Sequence, residues 1–312
     1  MDYVVFGQVI TDDIYFPGKE PMKNFLGGAV YTASGIRIWS ESVGICSGVG
    51  RDFEGLYSSW FDENGIDRRG CIVKAKRSCH SVIHYFEDGE REELPVKGCA
   101  TIDDMCPAVA DLPEDYKKCR GFYFFKDCDS RFWEEVGAYM SAAHPVAVWE
   151  IHASAAWPEY IDKVCALLPA VDIFSINQTE GRRLLGLTDP IAIVKRLVEL
   201  GARNVLYRMG SQGALAGNTS HIWHIPAVRT LVKDVTGGGN SSTGGFLAGF
   251  CENNGDIELA GRWASASASF IIEQFGQPKH IDDKVMQEAH IRAKALKTEC
   301  VWKGGSIWLK TC

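Results

Sequence analysis

The stretch Asp234-Val235-Thr236-Gly237-Gly238-Gly239-Asn240-Ser241-Ser242-Thr243-Gly244-Gly245-Phe246 carries the strongest chemical signal in the chain. Three consecutive glycines leave main-chain N–H groups unobstructed and permit positive φ. Small and then apolar residues follow, the pattern of a helix that begins near Asn240. Free amides at a helix N-terminus, together with the helix dipole, make a site for negative charge. Two common phosphate-binding patterns are absent. No Gly-Lys-Ser/Thr follows the glycines, and Gly48-Val49-Gly50 reaches Phe53 where a dinucleotide fingerprint needs its third glycine.

Other chemistry-bearing residues give weaker signals. His80 and His84 share one side of a strand-like run, but no third ligand is close in sequence, so they read as lid histidines and not as a metal pair. His221 and His224, flanking Trp223 in another strand or turn, are likewise not read as a metal pair. Eleven cysteines form no CxxC, and their odd number and irregular spacing point to reduced thiols, many buried as small hydrophobes. Asp103-Asp104 and Asp282-Asp283 are expected as acids at helix N-termini, and Trp133, Trp149 and Trp157 as core or cleft wall.

The elements that must position such a site alternate along the chain. Short apolar runs at Tyr3–Phe6, Val43–Ser47, Gly121–Phe125, Val146–Trp149, Val171–Ile176 and Asn204–Arg208 suit strands buried on both faces. Helical patterns at Val30–Trp39, Phe53–Asn64, Phe132–Ala142, Glu159–Leu168 and Ile191–Leu200 separate them. That order predicts a largely parallel sheet covered by helices on both sides. Asp13–Phe16, Met22–Leu26, Cys71–Val73, His80–Phe86 and Glu92–Val96 break the rhythm as short strands without helices, with Asp88-Gly89 as a hairpin turn. They read as a small antiparallel sheet, a lid inserted at about 12–27 and 71–98, on one domain covering 1–312. The short apolar tail around Trp302 and Trp308 is expected to dock on the core or on a neighbouring subunit.

Composition bounds the partners. With 312 residues, 46% hydrophobic and 23% charged, the chain can bury a sizeable core, which excludes disorder and small disulfide scaffolds. A net charge of -7 argues against nucleic acid or an anionic membrane as a main partner. No apolar run approaches the roughly 20 residues of a membrane span, and the N-terminus reads as a strand, so a cytoplasmic location is expected.

The glycine-rich stretch resembles the C-terminal signature of the ribokinase-like (PfkB-type) carbohydrate kinases, D-[TP]-T-G-A-G-D before a helix ending in G-F. Further matches fall in that family's order. Gly7-Gln8-Val9-Ile10-Thr11-Asp12 resembles its first-strand motif, and Gly27-Gly28-Ala29-Val30-Tyr31-Thr32-Ala33 its N-terminal signature. Asn177-Gln178-Thr179-Glu180 is similar to N-x-x-E, and Arg208-Met209-Gly210-Ser211-Gln212-Gly213 to [KR]-x-G-x-x-G. Ala264–Ile272 resembles the small-residue helix beside adenine, with Ser265 where relatives often carry Asn.

The resemblance implies a three-layer α/β fold with a β lid, and an enzyme that phosphorylates a hydroxyl of a sugar or nucleoside with ATP and Mg²⁺. It implies that the amides of Gly237, Gly238 and Gly239 form an anion hole, that Asp12, Gly27, Gly28 and Thr32 hold the acceptor, and that Asn177, Arg208, Gly210, Gly213 and Ser265 serve the nucleotide. Glu180 would act on Mg²⁺ through water, and Asp234 and Thr236 would lie by a monovalent cation such as K⁺. A homodimer is expected by the same analogy.

Two positions depart from the pattern. The family's catalytic Asp, the base for the acceptor hydroxyl, is here Asn240, and a carboxamide cannot take that proton. Three accounts compete: a substitution that traps substrate, a descendant that binds without turnover, or another carboxylate, Asp12 or Asp13, taking the proton. Thr32 replaces the Asn of the N-terminal signature, which leaves the acceptor's identity open.

Overall fold

The computed structural model describes residues 1–87 and 91–304. The chain opens with strands β1 (Tyr3–Phe6), β2 (Val9–Tyr15) and β3 (Met22–Gly28), then helix α1 (Ala29–Arg37), β4 (Val43–Gly50), α2 (Phe53–Asn64) and β5 (Asp67–Ala75). Strands β6 (Cys79–Tyr85) and β7 (Arg91–Pro95) precede β8 (Gly121–Lys126), α3 (Ser130–Ala143), β9 (Val146–Ile151) and α4 (Ile161–Leu167). Next come β10 (Ile173–Asn177), α5 (Gln178–Leu185), α6 (Pro190–Glu199), β11 (Asn204–Arg208), β12 (Ala214–Asn218) and β13 (His221–Ile225). Helices α7 (Gly238–Glu252), α8 (Ile257–Ile272) and α9 (Asp283–Ala295) follow, then β14 (Glu299–Lys303).

The large sheet runs β14-β13-β12-β11-β10-β9-β8-β1-β4-β5. It is parallel from β11 to β5, while β12, β13 and β14 add antiparallel pairs at the other edge. Period-2 alternation splits its apolar side chains between two cores. Tyr3, Val5, Tyr123, Val148, Ile173 and Leu206 pack with α1, α2, α7, α8 and α9. Val4, Phe6, Phe122, Trp149, Phe174 and Tyr207 pack with α3, α4, α5 and α6. The result is the expected helix–sheet–helix sandwich.

A second sheet, β3-β2-β6-β7, stands beside it. Its β2–β3 and β6–β7 pairs are antiparallel and are joined by a parallel β2–β6 pairing. Cys71–Val73 does not belong to this lid. It lies in β5, hydrogen-bonded in parallel to β4 at the edge of the large sheet, because the turn after α2 returns the chain alongside β4. Asp103-Asp104 also differs from expectation: Asp104 Oδ2 accepts from the N–H and hydroxyl of Thr101 in a turn, not at a helix start. Asp282 does cap α9. Trp133 and Trp149 are core residues, while Trp157 is exposed beneath the Arg183 guanidinium. The Asp88-Gly89 turn and Trp308 lie outside the described residues. Trp302 sits in β14, which pairs with β13.

Candidate active site

The apolar face toward α7 turns polar at the C-terminal ends of its strands. Two residues beyond Val148 is Glu150, beyond Ile173 is Ser175, and beyond Leu206 is Arg208, all continuing the same face. Open parallel sheets place ligands at this end.

Glu150 is 3% exposed, and its carboxylate has three neighbours. Arg208 Nη2 lies 2.9 Å from Oε1. The Tyr123 hydroxyl donates to Oε2 at 2.9 Å, a diagonal contact across β8 and β9. Asn240 Nδ2 lies 3.3 Å from Oε1 and 3.5 Å from the Tyr123 oxygen. Burial, then the charge of Glu150, pushes the Tyr123 phenol well above its ordinary range, so it stays protonated and can donate. A buried carboxylate needs this degree of pairing.

Helix α7 starts at Gly238, two residues before the expected start, because Gly237 caps it in the left-handed region (φ 76°). An added Cβ there would overlap the Tyr31 ring, and one on Gly239 would overlap Arg208 Nη1. The Arg208 guanidinium therefore rests against the second residue of α7. Strand pairing aligns Asn177 with Arg208. Asn177 and Glu180 form a reciprocal capping box on α5: Asn177 Oδ1 accepts from the Glu180 N–H at 2.9 Å, and Glu180 Oε2 accepts from the Asn177 N–H at 3.0 Å. Burial raises the Glu180 carboxyl, opposed mainly by the charge of Arg208.

A cleft of about 970 Å³ opens beside this end of the sheet. Arg208, Gly210, Gly213, Gly238, Gly239 and Ser265 line it together. Gly213 takes φ 84° where a Cβ would overlap the Ile225 carbonyl, which lets the turn after β11 close on β13. Ser265 holds the wall from α8: its hydroxyl donates to the Pro226 carbonyl at 2.8 Å and accepts from the Val228 N–H at 3.0 Å.

Asp12, Gly27, Gly28, Thr32, Asn177, Glu180, Gly237 and Asn240 do not line that cleft. Asp12 packs so tightly on Gly27 that a Cβ there would overlap Oδ2, and Gly28 (φ 63°) turns the chain from β3 into α1. Thr32, fully buried on α1, places its hydroxyl beside that of Tyr123. The acceptor-side and glycine-turn residues thus meet through Thr32, Tyr123 and Asn240. Asp13 takes the N–H of Asn24 at 2.9 Å and lies 3.3 Å from His80 Nε2.

Asp234 and Thr236 build the approach to the glycines. Asp234 Oδ1 accepts from the Thr236 N–H and hydroxyl at 2.8 and 2.7 Å, and from the Tyr85 hydroxyl at 2.6 Å. Sequence reasoning passed over Tyr123, Glu150 and Tyr85. The signal available for Glu150 was a lone acid closing a buried apolar strand.

The three-layer sandwich, small sheet and glycine-capped α7 define a sugar-kinase type of architecture. The profile of the pfkB family carbohydrate kinases matches residues 3–283, and the chain belongs to that family. It is 25% identical to a cytidine kinase of Thermococcus kodakarensis, covering 88% of this chain and 98% of that one. It is 23% identical to a nucleoside kinase of Methanothermobacter thermautotrophicus, covering 90% and 89%. Among solved structures, aminoimidazole riboside kinase from Salmonella enterica, complexed with aminoimidazole riboside and an ATP analog, superimposes with a TM-score of 0.72 at 18% identity, covering 94% and 100%. An E. coli structure in complex with ATP and Mg²⁺ gives 0.75 at 18% identity, covering 94% and 99%. No helix among the described residues is long and apolar enough to cross a membrane.

Proposed function

We propose that this chain transfers the γ-phosphoryl group of ATP to a hydroxyl of a sugar or nucleoside. The observation that carries the reading is the placement of Arg208 against Gly239, at the start of a glycine-capped helix, in one cleft with Gly210, Gly213 and Ser265. Phosphoryl transfer spreads charge over equatorial oxygens, so catalysis is mostly positioning and electrostatic stabilisation. The Gly239 amide and the Arg208 guanidinium, both on the cleft wall, face that charge, while the Gly238 N–H donates to the Val235 carbonyl at 3.2 Å and Gly237 caps the helix behind them. Asp12 accepts acceptor hydroxyls, and Thr32, fully buried behind that side, supports it through its hydroxyl beside Tyr123. The acceptor oxygen bonds to phosphorus as the bond to the departing ADP breaks, and the hydroxyl proton passes to solvent.

The donors present fit a hydrated Mg²⁺. Among the described residues no three His, Cys, Asp or Glu side chains gather into a cage, and Mg²⁺ usually keeps several waters and rides on the phosphates. Glu180, paired with Asn177 in the capping box of α5, would hold that hydrated ion through water, and the ion would neutralise phosphate charge.

The cytidine kinase and the nucleoside kinase, each matched along most of this chain, favour a nucleoside or riboside over a simple hexose. Incubation with MgATP and a panel of nucleosides and sugars should yield ADP and one phosphorylated product class. Silence across the panel would end the reading. A second reading, binding without efficient turnover, draws on Asn240: an amide cannot accept the acceptor's proton, and a positioned base contributes about 10²–10⁴ in rate. It predicts ligand-dependent thermal stabilisation without product.

A further inference from the structure

The buried Glu150 cluster is the part of the molecule that the proposed reaction leaves unexplained. Tyr123, Arg208 and Asn240 all converge on this one carboxylate, on the face of β9 turned to α7. An ionised carboxylate only accepts hydrogen bonds, so the Asn240 amide must turn its nitrogen toward it. Tyr123, which spends its proton on Glu150 Oε2, has only a lone pair to offer and also takes the amide nitrogen. The other branch of the same planar amide, Oδ1, meets no protein donor among the described residues, although the side chain is half-buried.

We propose that Glu150 is the positioning residue of this site: it holds Asn240 with its carbonyl oxygen presented to the acceptor hydroxyl, and holds Arg208 against Gly239. The inference rests on the kinase reading of the cleft and adds what the amide at 240 is for. It accepts the hydroxyl's hydrogen bond and aims the nucleophile without taking the proton. The negative charge of the centre sits instead at position 150, on the neighbouring strand. An aspartate at 240 would bring two carboxylates into contact, so the amide at 240 and the acid at 150 belong together.

A polarity swap tests this. The full-length variants E150Q, N240D and E150Q/N240D are compared with the parent by thermal unfolding, and by kcat and KM on whichever acceptor the parent turns over. N240D opposes two carboxylates and E150Q removes the buried charge that Arg208 pairs with, so each should lower Tm by about 3 °C or more. The double variant restores a donor–acceptor pair with reversed direction and should regain at least half of the summed loss. Its kcat should exceed that of N240D by about tenfold or more with little change in acceptor KM, because only there does an oriented carboxylate reach the hydroxyl. Strictly additive Tm losses would overturn the assignment. So would an N240D protein as stable as the parent that gains rate with Glu150 in place. The thermal cycle needs no substrate, so rescue without turnover counts against the kinase reading alone, and turnover without rescue counts against Glu150.

Discussion

The Tyr85 hydroxyl donates to Asp234 Oδ1 at 2.6 Å, tying the last residue of β6 in the small sheet to the loop that leads into the glycine turn. The ring stacks on Phe16, whose own edge meets Phe275, so the contact closes the small sheet over this end of the molecule. A hydrogen bond to a carboxylate contributes about 1.5–3 kcal/mol when partly shielded. Tyr85→Phe keeps the stack and removes the donor. The expected outcome is a small drop in Tm and a rise in ATP hydrolysis relative to acceptor phosphorylation, because a loosened lid admits water. A ratio of hydrolysis to transfer unchanged from the parent would show that this contact does not control closure.

The glycines of the turn differ in what they tolerate. Gly237 has positive φ and faces the Tyr31 ring, so Gly237→Ala combines backbone strain with a clash and should destabilise by about 2–4 kcal/mol. Gly239 has ordinary helical geometry, and its added Cβ would meet only the tip of Arg208. Gly239→Ala should therefore lose Tm only through the displaced Arg208–Glu150 pair, without backbone strain, and weaken MgATP binding about tenfold by moving the guanidinium. Calorimetric titration with MgATP and a melting curve on each variant separate the two effects.

These two sites also show what could be read before the structure. Gly237–Gly239 announce themselves because backbone freedom is a property of the residue type, and the layered fold follows from apolar runs alternating with helices. Glu150 did not, since its partners Tyr123 and Asn240 lie 27 and 90 residues away and only the strand order brings them together. Cys71–Val73 misled for a related reason. An exposed edge strand of the large sheet carries the same mixed pattern as a lid strand, and only its pairing with β4 distinguishes them. The Asn177–Glu180 motif was visible, but its capping box on α5 needed coordinates.

His152 provides a pH test. Burial holds its imidazole below the usual range, with Asp127 and Asp103 opposing, and its Nδ1 accepts from the Ser154 N–H at 3.2 Å at the start of a short turn. A histidine whose folded pKa lies below its unfolded value binds fewer protons when folded. Its contribution is full above about pH 6.5 and is lost as pH falls below that. His152→Asn keeps a capping oxygen and removes the titration. The parent should lose more Tm than this variant between pH 7.5 and 5.5, and equal losses would show that His152 does not titrate in that window.

Two glycines on adjacent positions of α7 face different helices, and this lets one comparison ask which contact sets the acceptor side. A Cβ on Gly244 would overlap the Thr32 carbonyl of α1, and one on Gly245 the Ser267 hydroxyl of α8. The first obstacle is main chain and cannot rotate away, and Gly35 of α1 packs equally close on the Ser241 carbonyl. Gly244→Ala must push α1 from α7, moving Thr32 relative to Tyr123 and Asn240. Gly245→Ala presses instead on α8, the wall that carries Ser265. Both should cost about 2–4 kcal/mol in stability. Their binding effects should diverge: Gly244→Ala raises acceptor KM several-fold with MgATP affinity nearly kept, and Gly245→Ala does the reverse. Equal losses of both ligands in both variants would mean that α7 moves as one rigid rod and that the two halves of the site are not separately supported.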